Sequence, residues 1–189
     1  MTATAEHAAR LSVDYPDRPL NRVSTLLRII YVIPIGIVLS FLGLLFGPVV
    51  LMILFRRKYP RWWFDFNFQL SRFSNRVVAY MALMSDVYPS TDEEQYVHLE
   101  LDYPDAERDL NRWLPLVKWF LAIPHLIVLA FLTIGAFLAA IGAWFAIIFT
   151  GRYPRGIFDY IEGVLRWWLR VEAYALLLIT DEYPPFRLA

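Results

Sequence analysis

This sequence predicts a mainly α-helical membrane protein built twice from one unit, and three observations predict it. Six of its twelve prolines directly follow a tyrosine, where chance pairing in 189 residues gives about one. The pairs fall into two matching sets: Tyr15-Pro16, Tyr59-Pro60 and Tyr88-Pro89, then Tyr103-Pro104, Tyr153-Pro154 and Tyr183-Pro184. Between the first and second pair of each set lies a long run without a charge, Ile29 to Phe55 and Trp119 to Gly151. Hydrophobic residues make up 58% of the chain and charged residues 19%, below the roughly 25% charged of an ordinary soluble domain.

The duplication holds residue by residue. Asp14-Tyr15-Pro16-Asp17 matches Asp102-Tyr103-Pro104-Asp105, and Leu20-Asn21-Arg22 matches Leu110-Asn111-Arg112. Arg28 matches Lys118, Tyr59-Pro60-Arg61 matches Tyr153-Pro154-Arg155, and Arg72, Arg76 and Tyr80 match Arg166, Arg170 and Tyr174. The expected organisation is a tail at 1–10, a first membrane repeat at 11–90, a short acidic linker at 91–95 and a second repeat at 96–189.

Each repeat opens with alternation. Leu11, Val13 and Tyr15 alternate with Ser12 and Asp14, and Val97, Leu99, Leu101 and Tyr103 with His98, Glu100 and Asp102. Period two reads as a half-buried strand. Proline stops it and holds the preceding tyrosine extended. The two strands pair with each other, or with the tails around Tyr88 and Tyr183, as a small β element at the membrane surface.

The apolar runs are 27 and 33 residues long. As straight helices they measure roughly 40 and 50 Å, against a hydrocarbon core of about 30 Å. Cations flank both runs on both sides, so no bias toward one face decides the topology. A helical hairpin that dips in and returns suits this pattern, with Gly43, Gly47-Pro48, Gly135 and Gly142 as bend points. A tilted or kinked single span in each copy is the alternative. The small residues Gly135, Ala139 and Ala143, with Gly36 and Ser40 and then Gly43 and Gly47, give spacings that let helices approach closely in lipid. They serve packing within the protein or a contact between copies.

The next segment of each repeat is amphipathic. Asp65, Gln69, Arg72 and Arg76, and Asp159, Glu162, Arg166 and Arg170, fall on one helical stripe among many aromatics. That describes a helix lying in the membrane interface, or a buried polar seam where the two copies face each other.

Several chemistries find no support. Net charge is zero, which points away from nucleic acid. With no cysteine, disulfides and thiolate sites are excluded. His7, His98 and His125 have no metal spacing. His98 reads as solvated. His125, at the start of the second run, is a candidate ligand or proton carrier, although the first copy has Ile35 there. The acids Asp102, Asp105, Glu107 and Asp109 read as a solvated loop, and no phosphate loop, dinucleotide fingerprint or nucleophile elbow occurs. No cofactor is expected. The first 28 residues carry charges throughout, so no cleaved signal is expected.

The stretch Ile123-Pro124-His125 to Trp144-Phe145, then Phe149-Thr150-Gly151-Arg152-Tyr153-Pro154-Arg155-Gly156, Phe158-Asp159, Arg166-Trp167 and Asp181-Glu182-Tyr183-Pro184-Pro185-Phe186, resembles a bacterial membrane family catalogued only as a domain of unknown function. The resemblance runs from about Leu11 and is strongest in the second copy. The first copy departs with Arg57-Lys58 for Gly151-Arg152 and Trp62 for Gly156. It implies an integral membrane protein, found singly or in tandem, and no activity.

The expected role is therefore non-enzymatic: an accessory subunit of a larger complex in the cytoplasmic (inner) membrane, or a self-associating scaffold, with lipid and other membrane proteins as partners. The alternative is a channel or transporter whose two copies enclose a path lined by Asp65, Arg72, Asp159, Glu162 and Arg166. An enzyme acting on lipid headgroups is a third reading with only scattered acids behind it.

Overall fold

The computed structural model describes residues 7–16, 19–42, 47–91 and 93–188. The chain is mainly helical, with one two-stranded sheet. In order the elements are β1 (Ala9–Val13), α1 (Arg22–Leu42), α2 (Gly47–Leu51) continuing into a wider turn at Met52–Arg56, α3 (Arg61–Met81), β2 (Val97–Leu101), a tight turn at Leu114–Leu116, α4 (Lys118–Thr150) and α5 (Arg155–Ala175).

Local chemistry sets the boundaries. Asn21 caps α1, its Oδ1 accepting from the amides of Val23 at 2.9 Å and Ser24 at 3.3 Å, and Asn111 accepts from the Trp113 amide at 3.0 Å. This is what the repeated Leu-Asn-Arg does. Pro60 and Pro154 stand extended just before α3 and α5. α4 stops at Gly151, whose φ of 75° suits glycine. Arg57 takes the same left-handed position in the first copy, with φ 49° and a side chain.

A pseudo-two-fold axis relates the copies. β1 and β2 pair antiparallel, with Leu11 opposite Leu99 at the centre of the register. Those two residues are equivalent by repeat, so the axis passes between them, perpendicular to the ribbon. Contacts are exchanged across it. The Tyr15 hydroxyl donates to the Tyr153 carbonyl at 2.6 Å and the Tyr103 hydroxyl to the Tyr59 carbonyl at 2.5 Å. Arg155 lies over the Tyr15 ring at 4.3 Å and Arg61 over Tyr103 at 4.6 Å. The Leu20 amide reaches the Gly151 carbonyl at 3.0 Å and the Trp144 indole the Thr25 carbonyl at 3.3 Å. α1 therefore begins beside the end of α4.

The elements stack in layers. At about 100° per residue, Ile157, Tyr160, Trp167, Trp168 and Val171 share the face of α5 toward α4. The Tyr160 hydroxyl donates to the Leu132 carbonyl, Trp168 to the Thr133 hydroxyl and Trp167 to His125. Glu162, Arg166 and Leu169 point the opposite way, toward β1. The core lies between ribbon and helices, where Leu11, Val13, Val97 and Leu99 meet Phe158, Ile161, Leu165 and Leu169.

Three expectations change. The first strand begins at Ala9, inside the span expected to be tail. The second apolar run does not bend at Gly135 or Gly142, because α4 is continuous through both. A Cβ at Gly135 would stand 2.6 Å from the Tyr160 hydroxyl, so this glycine admits α5 rather than turning the chain. The reversal comes at Gly151–Pro154, and the return arm is α5. In the first copy Gly43 lies outside the described residues and Gly47 opens α2. Lastly, most of the charged stripe of α5 does not face outward: Glu162, Arg166 and Arg170 bond to β1 and the C-terminal tail, while Asp159 stays exposed.

Candidate functional site

The most distinctive surface is the outer face of α4. One stripe of this helix (Ala122, His125, Leu129, Ala143, Ile147) is buried. The remainder is exposed and apolar, with Phe131 71%, Phe137 67% and Phe149 76% exposed among Phe120, Ile127, Ile134, Leu138 and Ile141. α1 extends this layer, with Val23 65% and Ile30 62% exposed. Among the described residues α4 is the one helix long and apolar enough to cross a membrane. Exposed patches of this extent mark a contact surface for protein or membrane. Trp113, Trp119, Trp62 and Tyr31 are exposed as well.

The polar residues singled out from the sequence hold the body together. Glu162 Oε1 accepts from the Val13 amide at 3.0 Å, and Arg166 Nε donates to the Leu11 carbonyl at 3.0 Å. The pair itself closes at 3.0 Å. Together they satisfy one edge of β1. Arg170 reaches the Arg187 carbonyl at 3.4 Å, Arg76 the Ser90 carbonyl at 2.7 Å and Arg72 the Thr91 carbonyl at 3.2 Å. Such charge-assisted bonds suit extended segments whose carbonyls have no ladder partner. Asp65 and Asp159 are exposed and pair with Arg61 at 3.4 Å and Arg155 at 3.2 Å. Asp65, Arg72, Asp159 and the Glu162–Arg166 pair thus each have their own partners among the described residues.

The tyrosines of the Tyr-Pro pairs are latches. Besides Tyr15 and Tyr103, Tyr59 donates to the Leu177 carbonyl at 2.6 Å and Tyr153 to the Ala82 carbonyl at 2.9 Å. Burial raises the pKa of Tyr59 and of Tyr153, which keeps both phenols neutral donors. Pro16, Pro60, Pro104 and Pro154 end the strand segments or open the helices beside them. Gly135 and Ala143 serve close packing, and Ala139 is half-buried in the same helix.

The bridging role of two acids escaped the sequence reading. Asp86 bridges the Asn21 amide at 2.5 Å and Arg28 at 2.8 Å. Asp181 does the same for the Asn111 amide at 2.5 Å and Lys118 at 2.7 Å. Each stands two residues before a Tyr-Pro pair in both copies, a repeated spacing that was available to find them. His125 is fully buried. Its Nδ1 accepts from Trp167 Nε1 at 3.1 Å, and its ring stacks on Phe186 at 3.9 Å. Its neighbours are those of a packed core residue. His98 is exposed beside Asp14 at 2.9 Å. In the acidic loop, Asp105 and Asp109 accept amides of their own turn. Among the described residues no three His, Cys, Asp or Glu side chains cluster to hold a metal.

The chain belongs to the family described as a domain of unknown function, DUF4389, whose model matches it twice, over residues 22–91 and 113–187. The matched spans coincide with the two copies related by the axis, β1 and β2 lying just outside them. No curated protein and no solved structure matches the chain.

Proposed function

We propose that this protein is a non-enzymatic membrane-seated platform. Its α1 and α4 lie in the plane of one leaflet, and the β1–β2 ribbon faces water. On that surface a larger membrane complex, or further copies of the chain, assembles. The observation that carries this reading is the position of the ribbon. Tyr160 and Trp168 hold the middle of α5 against Leu132 and Thr133, the middle of α4, while Glu162 and Arg166 hold β1 on the other side of α5. The ribbon is therefore level with the midpoint of α4.

An upright α4 would put Arg10, Asp14, Glu100 and Asp102 at the bilayer midplane. Each charge there costs about 2.5–3.5 kcal/mol on insertion scales, and the open ribbon edges would find no water. With α4 in the plane, those groups sit a layer of helix away from lipid. The two-fold axis, perpendicular to the ribbon, then runs along the bilayer normal, and both copies sit at one depth. The same seating accounts for cations on both flanks of both runs: every flank is on one side. A preference for positive charge inside makes that side the cytoplasmic face of the inner membrane.

Lys58→Cys and Arg152→Cys test the seating. Phe55 adjoins Arg112, before α4, at 3.4 Å, whereas Arg152 follows the end of α4. An impermeant thiol reagent labels both from the same side of sealed vesicles; labelling from opposite sides refutes the reading. Mass analysis of what co-elutes in mild detergent tests the assembly role, and a bare monomer rejects it.

A further inference from the structure

We infer that the two ends of the apolar layer grip anionic lipid headgroups through Arg22, Arg56, Arg57, Lys58, Arg112 and Arg152. The inference rests on the seating proposed above. Leaving aside Arg187, exposed on the C-terminal tail, the described cations fall into two groups. Those in the body are consumed internally. Arg10, Arg28, Arg61, Arg108, Lys118, Arg155 and Arg166 form ion pairs. Arg72 and Arg76 hold carbonyls. Those at the ends of the apolar helices are not: Arg56, Arg57, Lys58 and Arg152 are exposed, and no acid pairs with them among the described residues. Among the described residues Arg22 and Arg112 make long contacts, to the Phe149 carbonyl at 3.5 Å and the Phe55 carbonyl at 3.4 Å.

These contacts also fix where the cations are. Arg22 from the first copy stands with Arg152 at one end. Arg112 from the second stands with Arg56, Arg57 and Lys58 at the other. Each cluster adjoins an exposed phenylalanine, Phe149 or Phe55, so hydrocarbon contact and positive charge meet at both rims. That is the arrangement in which a basic cluster meets lipid phosphates. At the Arg57 end a cleft of about 420 Å³ lies between Arg57, Lys58, Tyr59, Tyr103, Asp105 and Glu107. Asp105 is held by Arg108 at 3.6 Å and by the Glu107 amide at 3.1 Å, which leaves Glu107 as its one unengaged acid against two cations. Arg57 keeps its charge at a left-handed backbone position that the second copy gives to Gly151.

The test uses full-length protein in mild detergent, diluted into preformed vesicles, with the bound fraction read by flotation. Vesicles of phosphatidylcholine alone are compared with vesicles doped with phosphatidylglycerol. Binding is tighter to the doped vesicles, and raising salt removes the difference by screening. Combining Arg56→Gln, Lys58→Gln and Arg152→Gln lowers affinity for doped vesicles by about fivefold per cation and leaves binding to neutral vesicles unchanged. Arg10→Gln, which removes one cation from the ribbon face, leaves the preference intact, whereas Arg152→Gln alone lowers it. Equal binding to both compositions overturns the inference and spares the seating. A preference that survives high salt or the triple substitution also overturns it. Failure to bind either vesicle overturns both.

Discussion

A spin label moved along the outer face of α4 measures its seating directly. The chain has no cysteine, so Phe120→Cys, Ile127→Cys, Ile134→Cys, Ile141→Cys and Phe149→Cys each give a single attachment point on the exposed face. From Phe120 to Phe149 the helix rises roughly 43 Å at 1.5 Å per residue. A helix in the plane of a leaflet keeps all five labels within the outer ~5–10 Å of the acyl boundary. A crossing helix puts Ile134 about 15 Å from either surface and both ends near water. The readout is the ratio of relaxation by oxygen, which concentrates in the bilayer, to relaxation by a water-soluble nickel chelate. In-plane seating gives a flat profile, with the five depths agreeing to about 5 Å. Lysine substitutions repeat the test in energy: a crossing makes Ile134→Lys cost about 2.5–3.5 kcal/mol more than Phe149→Lys, whereas in-plane seating makes the costs similar. A single maximum of depth centred on Ile134 would refute the seating and, with it, the argument from the ribbon.

Gly135→Ala lowers stability by about 1–2 kcal/mol, because the new methyl displaces the Tyr160 hydroxyl from the Leu132 carbonyl. Tyr160→Phe in the same chain recovers part of that loss, and a double-mutant cycle from denaturant melts reads the coupling. Arg57→Gly raises stability by about 1 kcal/mol by relieving a left-handed side-chain residue, while weakening binding to anionic vesicles. Loss of stability on that change would remove backbone cost as the distinction between Arg57 and Gly151. Glu172 sits on α5 with the Ser71 hydroxyl at 2.8 Å, and its pKa is raised by burial, the Ser71 bond opposing only in part. A carboxyl with a raised folded pKa destabilises the fold when ionised, and the penalty vanishes below the unfolded value. Glu172→Gln therefore raises the melting temperature at pH 7, and the gain shrinks as pH falls toward 4.5. A gain that persists below that pH contradicts the assignment.

The elements that were readable in advance are those fixed by neighbours in the chain. Asn21 caps α1 and Asn111 holds the Trp113 amide by reaching two residues on, local roles that the repeated Leu-Asn-Arg marked as shared without naming them. β1 and β2 follow from alternation, and α3 and α5 begin beside Pro60 and Pro154. The charged stripe was also readable as a stripe, since helical period alone places Glu162, Arg166 and Arg170 together. Its role was not. Period records that a face is polar, but water, headgroups and a strand edge all satisfy arginine, and the strand edge came from residues about 150 positions away. Gly135 carried two readings, bend point and packing position, for a related reason: a glycine's missing side chain favours a bend or a close neighbour equally, and only the position of Tyr160 separates the two.

The sequence by itself determined that there are two copies and that each carries a long apolar run ahead of a charged helix. Those are properties of short-range sterics and of composition. Only the tertiary structure decided that the copies exchange tyrosines and arginines about an axis through Leu11 and Leu99, and that the charges of the ribbon stand over the middle of α4. Such contacts join residues 44 to 138 positions apart in the tyrosine pairs, and their geometry depends on how whole faces fit once water has been excluded from between them.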